Sequence, residues 1–129
     1  MSGAALWPQV LAVSVGAAFG ALLRWLAGVW LNAQWNGFPL GTLLVNCAGG
    51  FLVGIALMWF TRSPNELLRL LVVTGFLGGL TTFSAYSVES LILLQRGLWT
   101  LAVVHTLAHV LGALGAAALG YAVARAAFA

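Results

Sequence analysis

At 129 residues, 63% hydrophobic and only 5% charged, the chain lacks the charged exterior that a soluble domain of this length needs. Its net charge of +3 comes from arginines set singly along the sequence, with no lysine and no aspartate, so no basic patch exists for nucleic acid to bind. A mean hydropathy of +1.07 places it among integral membrane proteins.

Crossing roughly 30 Å of hydrocarbon takes roughly 20 apolar residues, and four stretches meet that length. The first is expected over about Leu6 to Leu31, with Trp7 and Trp30 near its ends as interfacial anchors. It is too long for a signal-peptide core and reads as a retained span. Asn32 to Pro39 is a short polar turn, and the second span runs about Leu40 to Phe60 with Trp59 near its far end. Ser63-Pro64-Asn65-Glu66 reads as a turn leading into a helix start. The third span runs about Glu66 to Leu94, Gln95 to Gly97 turns the chain, and the fourth runs about Leu98 to Ala127. The predicted class is therefore an all-α membrane protein of a single four-span domain. Small residues four apart (Gly16 and Gly20, Gly50 and Gly54, Gly75 and Gly79, Ala116 and Gly120) predict close helix packing. Cys47, the lone cysteine, lies in an apolar run and reads as a buried, inert thiol.

One stretch breaks the apolar pattern. From Gly75 to Ser90 the third span carries Gly75, Gly78 and Gly79, the hydroxyls of Thr81, Thr82, Ser84, Ser87 and Ser90, and the carboxylate of Glu89. Each glycine weakens a helix by roughly 1 kcal/mol relative to alanine. Backbone freed inside a membrane survives only beside protein or a hydrated path. The stretch predicts a break in the third span, lining a route for something small and polar.

Other polar residues in the spans call for a reason. Arg24 is either a snorkelling arginine about two turns from the interface or a cation facing an aqueous vestibule. Thr42 and Asn46 are four apart and share a helix face, either as interhelical glue or as pore lining. Phe83, Tyr86 and Glu89 follow one another at spacing three on the helix after the glycines, so they stack on one face. Aromatic ring edges are electropositive and can meet an anion without a full counter-charge. His105 and His109 share a face of the fourth span. Histidines at that spacing can bind zinc, but no cysteine cluster or HExxH pattern accompanies them, and hydrogen bonding along the same polar route is expected instead. No nucleophile–base–acid set, phosphate loop or paired carboxylate is present, so no enzyme is expected. Orientation is weakly encoded. Arg62, Arg69 and Arg125 fall on or near one side, with Arg96 and Arg24 toward the other. Such a bias allows insertion both ways and antiparallel pairing about an axis in the membrane plane.

Gly20-Ala21-Leu22-Leu23-Arg24, Gly41-Thr42-Leu43-Leu44-Val45-Asn46 and Gly75-Phe76-Leu77-Gly78-Gly79-Leu80-Thr81-Thr82-Phe83-Ser84 together carry a resemblance. Over nearly its whole length the chain resembles the Fluc (CrcB) family of bacterial fluoride channels. That resemblance implies a passive, fluoride-selective channel of the cytoplasmic (inner) membrane that lowers fluoride toxicity. It implies a dual-topology antiparallel homodimer in lipid, with two pores each built from both subunits. It also implies a structural sodium ion at the dimer centre, held by backbone carbonyls at the positions of Gly78 and Thr81. Asn46 matches the pore asparagine, and Phe83 the first of two pore phenylalanines whose ring edges face fluoride. Tyr86 stands where the second phenylalanine is usual. Thr42 and the fourth-span face match a polar track, on which His105 and His109 stand where tyrosine and serine are common. Ser84, Ser87, Arg24 and Glu89 complete the expected ion pathway. The competing reading is a small multidrug-type proton-coupled exporter. Those rely on a glutamate in the first span, where this chain has Arg24 and no acid.

Overall fold

The computed structural model describes residues 3–32 and 38–129, with side chains from Leu6 onward in the first helix. Most of the turn expected between the first two spans (33–37) lies outside the described residues, as do residues 1 and 2. Four helical runs are long and apolar enough to cross a membrane: Leu6–Asn32, Leu40–Arg62, Glu66–Gln95 and Trp99–Ala127. The chain is a four-span, all-helical membrane protein, and each run lies within about two residues of its expected bounds.

The helix starts and stops follow local chemistry. Asn65, at the turn expected there, accepts the Leu68 N–H on its side-chain oxygen at 3.0 Å, capping the third span. Gly97 sits at φ +73° and lets the chain reverse between the third and fourth spans, a conformation that costs glycine nothing. The first span ends in a π-helical turn, Gly28–Asn32. The wider eight-residue π segment Leu70–Leu77, which no sequence pattern foreshadows, lies in the first half of the third span.

Packing pairs the spans in two sets. The second span lies along the fourth, and the first lies along the opening half of the third. Glycines set both approaches. A Cβ on Gly20 would fall onto the backbone of Phe76 and Leu80, and one on Gly120 would fall onto the Phe51 backbone. Lipid tails are as apolar as leucine, so close backbone approach of this kind, rather than a hydrophobic drive, holds such helices together. The buried apolar core is correspondingly small, centred on Val45, Leu77 and Leu80. Large apolar side chains such as Leu11, Trp25, Leu57 and Leu114 are exposed on the outside, where lipid is their solvent. Cys47 is half-buried and unbonded, and lies next to Gly112.

Candidate functional site

The site is built around two extended residues of the third span. Thr81 takes φ −86°, ψ 155° and Thr82 takes φ −152°, ψ 120°, between the helical residues Gly78–Leu80 and the helix Phe83–Gln95. Two extended residues remove helical hydrogen bonds on both sides, and in a membrane those groups need protein partners. The partners are specific. The Thr82 hydroxyl accepts the Ala85 N–H at 3.0 Å and caps the following helix. Thr82 N–H donates to Asn46 Oδ1 at 2.8 Å, and Asn46 Nδ2 donates back to the Thr82 carbonyl at 3.0 Å. The Asn46 side chain thus pairs with Thr82 as a neighbouring strand would. The Thr81 hydroxyl and N–H both return to Leu77 O, at 2.8 and 3.0 Å. Arg24, from the first span, donates Nε to Gly79 O at 3.0 Å.

This double bond to Thr82 fixes which end of the Asn46 amide is which. Its remaining N–H therefore points at His109 Nδ1, 3.0 Å away. A nitrogen accepting that bond has no proton, so neutral His109 carries its proton on Nε2. His109 is 6% exposed, and its Nε2 has no hydrogen-bond partner among the described residues. A buried, unanswered N–H is costly, of order 1–3 kcal/mol, and marks a place where a ligand or water is wanted.

A second chain of donors converges on Glu89. Asn32, at the end of the first span, accepts the N–H groups of Gly41 and Thr42 on Oδ1 at 2.7 and 3.2 Å, and donates Nδ2 to the Thr42 hydroxyl at 3.4 Å. That leaves the Thr42 O–H to donate to Glu89 Oε2 at 2.5 Å. His105, fully buried, places Nε2 3.2 Å from Glu89 Oε1 and Nδ1 2.9 Å from Ser90 Oγ. With Glu89 as carboxylate, His105 donates from Nε2 and accepts the Ser90 hydroxyl at Nδ1. The aromatic rings knit the two chains together. Tyr86 stacks on His105 (centroids 5.1 Å, 9° between planes) and lies 4.9 Å from His109, while its hydroxyl donates to Thr106 at 2.9 Å. Phe38 meets the His105 ring edge-on at 5.6 Å.

Beside this cluster runs an open, largely apolar groove of about 480 Å³, lined among others by Asn46, Gly78, Thr81, Phe83, Tyr86 and His109. Its lining mixes the polar residues Asn46, Thr81, Thr82 and His109 with the aromatic Phe83 and Tyr86, and among the described residues it holds no lysine or arginine. Of the described helices, those that line it are the second, third and fourth spans.

The chain is similar over nearly its full length to known proteins. The family profile described as "CrcB-like protein, Camphor Resistance (CrcB)" matches residues 11–121. The chain belongs to the CrcB-like family. Among its relatives is the "Fluoride-specific ion channel FluC" of Marinobacter nauticus, 48% identical over 118 residues that cover 90% of this chain and 94% of the relative. Proteins of the same name from Aromatoleum aromaticum (49% identical, 95% of each chain) and Bordetella petrii (50% identical, 90% and 91%) are similar to it as well.

Within this CrcB-like chain the fold brings together Thr42, Asn46, Tyr86, Glu89, His105 and His109. Phe83 lies beside Tyr86 (ring centroids 5.3 Å) but turns outward, 79% exposed. Ser84 and Ser87 face outward too; Ser87 donates to Phe83 O within its own helix, and Ser84 meets the Thr82 hydroxyl at 3.2 Å. Arg24 stands apart from the cluster, on the Gly79 carbonyl. Sequence reasoning marked Ser90 only as one hydroxyl of the Gly75–Ser90 stretch, and it overlooked Asn32, Thr106 and the capping role of Thr82. Thr82 carried a signal, a hydroxyl just before a helix, and the others carried none, since their partners lie in other spans or, for Asn32, nine and ten residues on.

Proposed function

We propose that this protein is a fluoride-selective channel of the bacterial inner membrane, carrying fluoride passively out of the cell. The observation that carries the reading is near-full-length similarity, at about half identity, to chains named as fluoride-specific ion channels. The chemistry of the site agrees with it. Fluoride is small and strongly hydrated, so a pore must replace its water with many donors and exclude larger chloride. His109 Nε2–H and the ring edges of Phe83 and Tyr86 are neutral groups of that kind, beside an Asn46 amide whose own N–H groups are held by Thr82 O and His109 Nδ1. A fixed cation at the narrowest point would hold fluoride too firmly for rapid exit. The small multidrug-type exporter gains no support from the family or the relatives.

In this reading the functional unit is an antiparallel homodimer of dual topology in the lipid bilayer, with two pores. The exposed face that carries Phe83, Ser84 and Ser87, beside the open groove, is where a second copy would complete the wall. The Thr81–Thr82 pair is the break in the third span. A sodium ion at the dimer centre fits the donors present. In a continuous helix the Gly78 and Thr81 carbonyls would accept from Thr82 and Ala85. Both of those N–H groups are taken by side chains, Asn46 Oδ1 and Thr82 Oγ1. Sodium would supply a positive charge to carbonyls the break has released, as unwound helices do in transporters. The ion is structural in this account, not transported.

The test is efflux from liposomes containing the purified chain, followed with a fluoride electrode and repeated with chloride. Fast fluoride efflux with negligible chloride flux is expected. Folded dimers that pass no fluoride would overturn the reading and turn attention to proton-coupled export.

A further inference from the structure

The fold assembles something the histidine spacing alone could not. Two histidines four apart on one helix lack a third ligand, and the third span supplies it. Glu89, His105 and His109 each offer one ligand atom, and those atoms lie within 4.8 Å of one another. Both histidines are buried and Glu89 is largely so, with 16% of its side chain exposed. A zinc ion bound at about 2.0–2.1 Å holds its ligand atoms about 3.3 Å apart. The Glu89–His105 pair already stands at 3.2 Å.

The surroundings have the features of a metal site's outer layer. Metal-binding imidazoles hold a hydrogen bond on the second nitrogen, and ligating carboxylates are themselves hydrogen-bonded. His105 has Ser90 Oγ on Nδ1, and Glu89 has the Thr42 hydroxyl on its other oxygen. A separate observation also points to a ligand: His109 Nε2 is buried and unpartnered among the described residues. Two imidazoles and one carboxylate are the donor set of three-ligand zinc sites that keep a fourth position open.

We propose that Glu89, His105 and His109 bind a divalent transition-metal ion of the zinc type, and that its occupancy blocks the ion pathway. The blocking half rests on the fluoride-channel reading; the binding half does not. The coupling follows from the tautomer of His109. If the metal takes Nδ1, it displaces the Asn46 N–H that now donates there. If it takes Nε2, the ring proton moves to Nδ1 and faces that same N–H. Either way the Asn46–His109 bond is lost. The metal would also leave a net positive charge beside Asn46, which would hold a small hard anion rather than pass it. Proton balance is simple: a neutral imidazole coordinates through the nitrogen that carries no proton, so His105 bound through Nε2 moves its proton to Nδ1 and there donates a hydrogen bond to Ser90 Oγ, with no proton released.

The experiment uses the full, tag-free chain in detergent, stripped with a chelator and titrated with Zn2+ by calorimetry and with Co2+ by absorbance. One metal per chain is expected, with the intense visible bands of four- or five-coordinate Co2+. His105→Gln and His109→Gln, each checked for monodispersity and helicity, are expected to bind at least about tenfold more weakly. No stoichiometric binding, a weak six-coordinate Co2+ spectrum, or unaltered affinity in folded variants would each overturn the site. Because the Co2+ spectrum is read on the unsubstituted chain, the proposal stays testable if the variants misfold. Neither readout uses fluoride, so failure here is distinct from failure of the channel reading. In liposomes, Zn2+ is expected to stop fluoride efflux and a chelator to restore it. Undiminished efflux at saturating Zn2+ would remove the block.

Discussion

Replacing Asn46 by aspartate alters one atom group, and its consequences can be worked through. The amide now makes three hydrogen bonds: it accepts from Thr82 N–H and donates to Thr82 O and His109 Nδ1. A carboxylate keeps the first, turns the second into a contact between acceptors, and meets His109 only after that ring moves its proton to Nδ1. Each lost bond is worth about 1 kcal/mol, and stranding a buried carbonyl costs about 1–3 kcal/mol. The larger effect falls on the ion. A carboxylate about 4 Å from a passing anion, at an effective dielectric of about 20, repels it by about 4 kcal/mol. With tenfold per about 1.4 kcal/mol, fluoride flux should fall about a thousandfold. The assay is fluoride efflux from liposomes at neutral pH, on protein whose gel-filtration profile and helicity match the unsubstituted chain. Flux within tenfold of normal in such a folded Asn46→Asp protein would refute the reasoning and remove Asn46 from the pathway.

Thr82→Ala removes the acceptor for Ala85 N–H and should cost about 1 kcal/mol of stability, read as a lower thermal midpoint in detergent; an unchanged midpoint would show that the cap is not needed. Gly20→Ala sets a Cβ against the Phe76 and Leu80 backbone and should cost about 1–3 kcal/mol or prevent assembly, seen as aggregation on gel filtration. Tyr86→Phe gives up only the hydroxyl bond to Thr106, about 1 kcal/mol, and keeps the ring against both histidines, so flux should stay within about tenfold while Tyr86→Ala loses it. Asn32→Ala frees the first N–H groups of the second span and loosens the Thr42 hydroxyl on Glu89. It should lower stability by about 1–2 kcal/mol and reduce fluoride efflux, and an effect on stability alone would limit Asn32 to capping.

Asn65 and Gly97 show what was legible locally. A capping side chain and a positive-φ glycine act within a few residues of themselves, so their chemistry can be read from neighbours in the chain. Asn46 was legible as a polar residue out of place in a span, yet its partner was not, because Thr82 is 36 residues away. Glu89 was placed on a face with Phe83 and Tyr86 by its spacing. Its actual partners, Thr42 and His105, come from two other spans. Arg24 had two open readings, and its tie to the Gly79 carbonyl 55 residues on was not legible in its own segment.

The sequence by itself determined the class, the number of spans and nearly all their bounds. Length and hydropathy decide what can cross hydrocarbon, and both are properties of contiguous residues. It also marked the glycine- and hydroxyl-rich stretch as unlike its surroundings. Tertiary structure alone decided the Asn46–Thr82 pairing, the proton position on His109 and the meeting of Glu89 with two histidines. Hydrogen bonds between spans depend on rotation and depth of one helix against another. Those are set by glycine contacts such as Gly20 on Phe76 and Gly120 on Phe51, which no single segment contains.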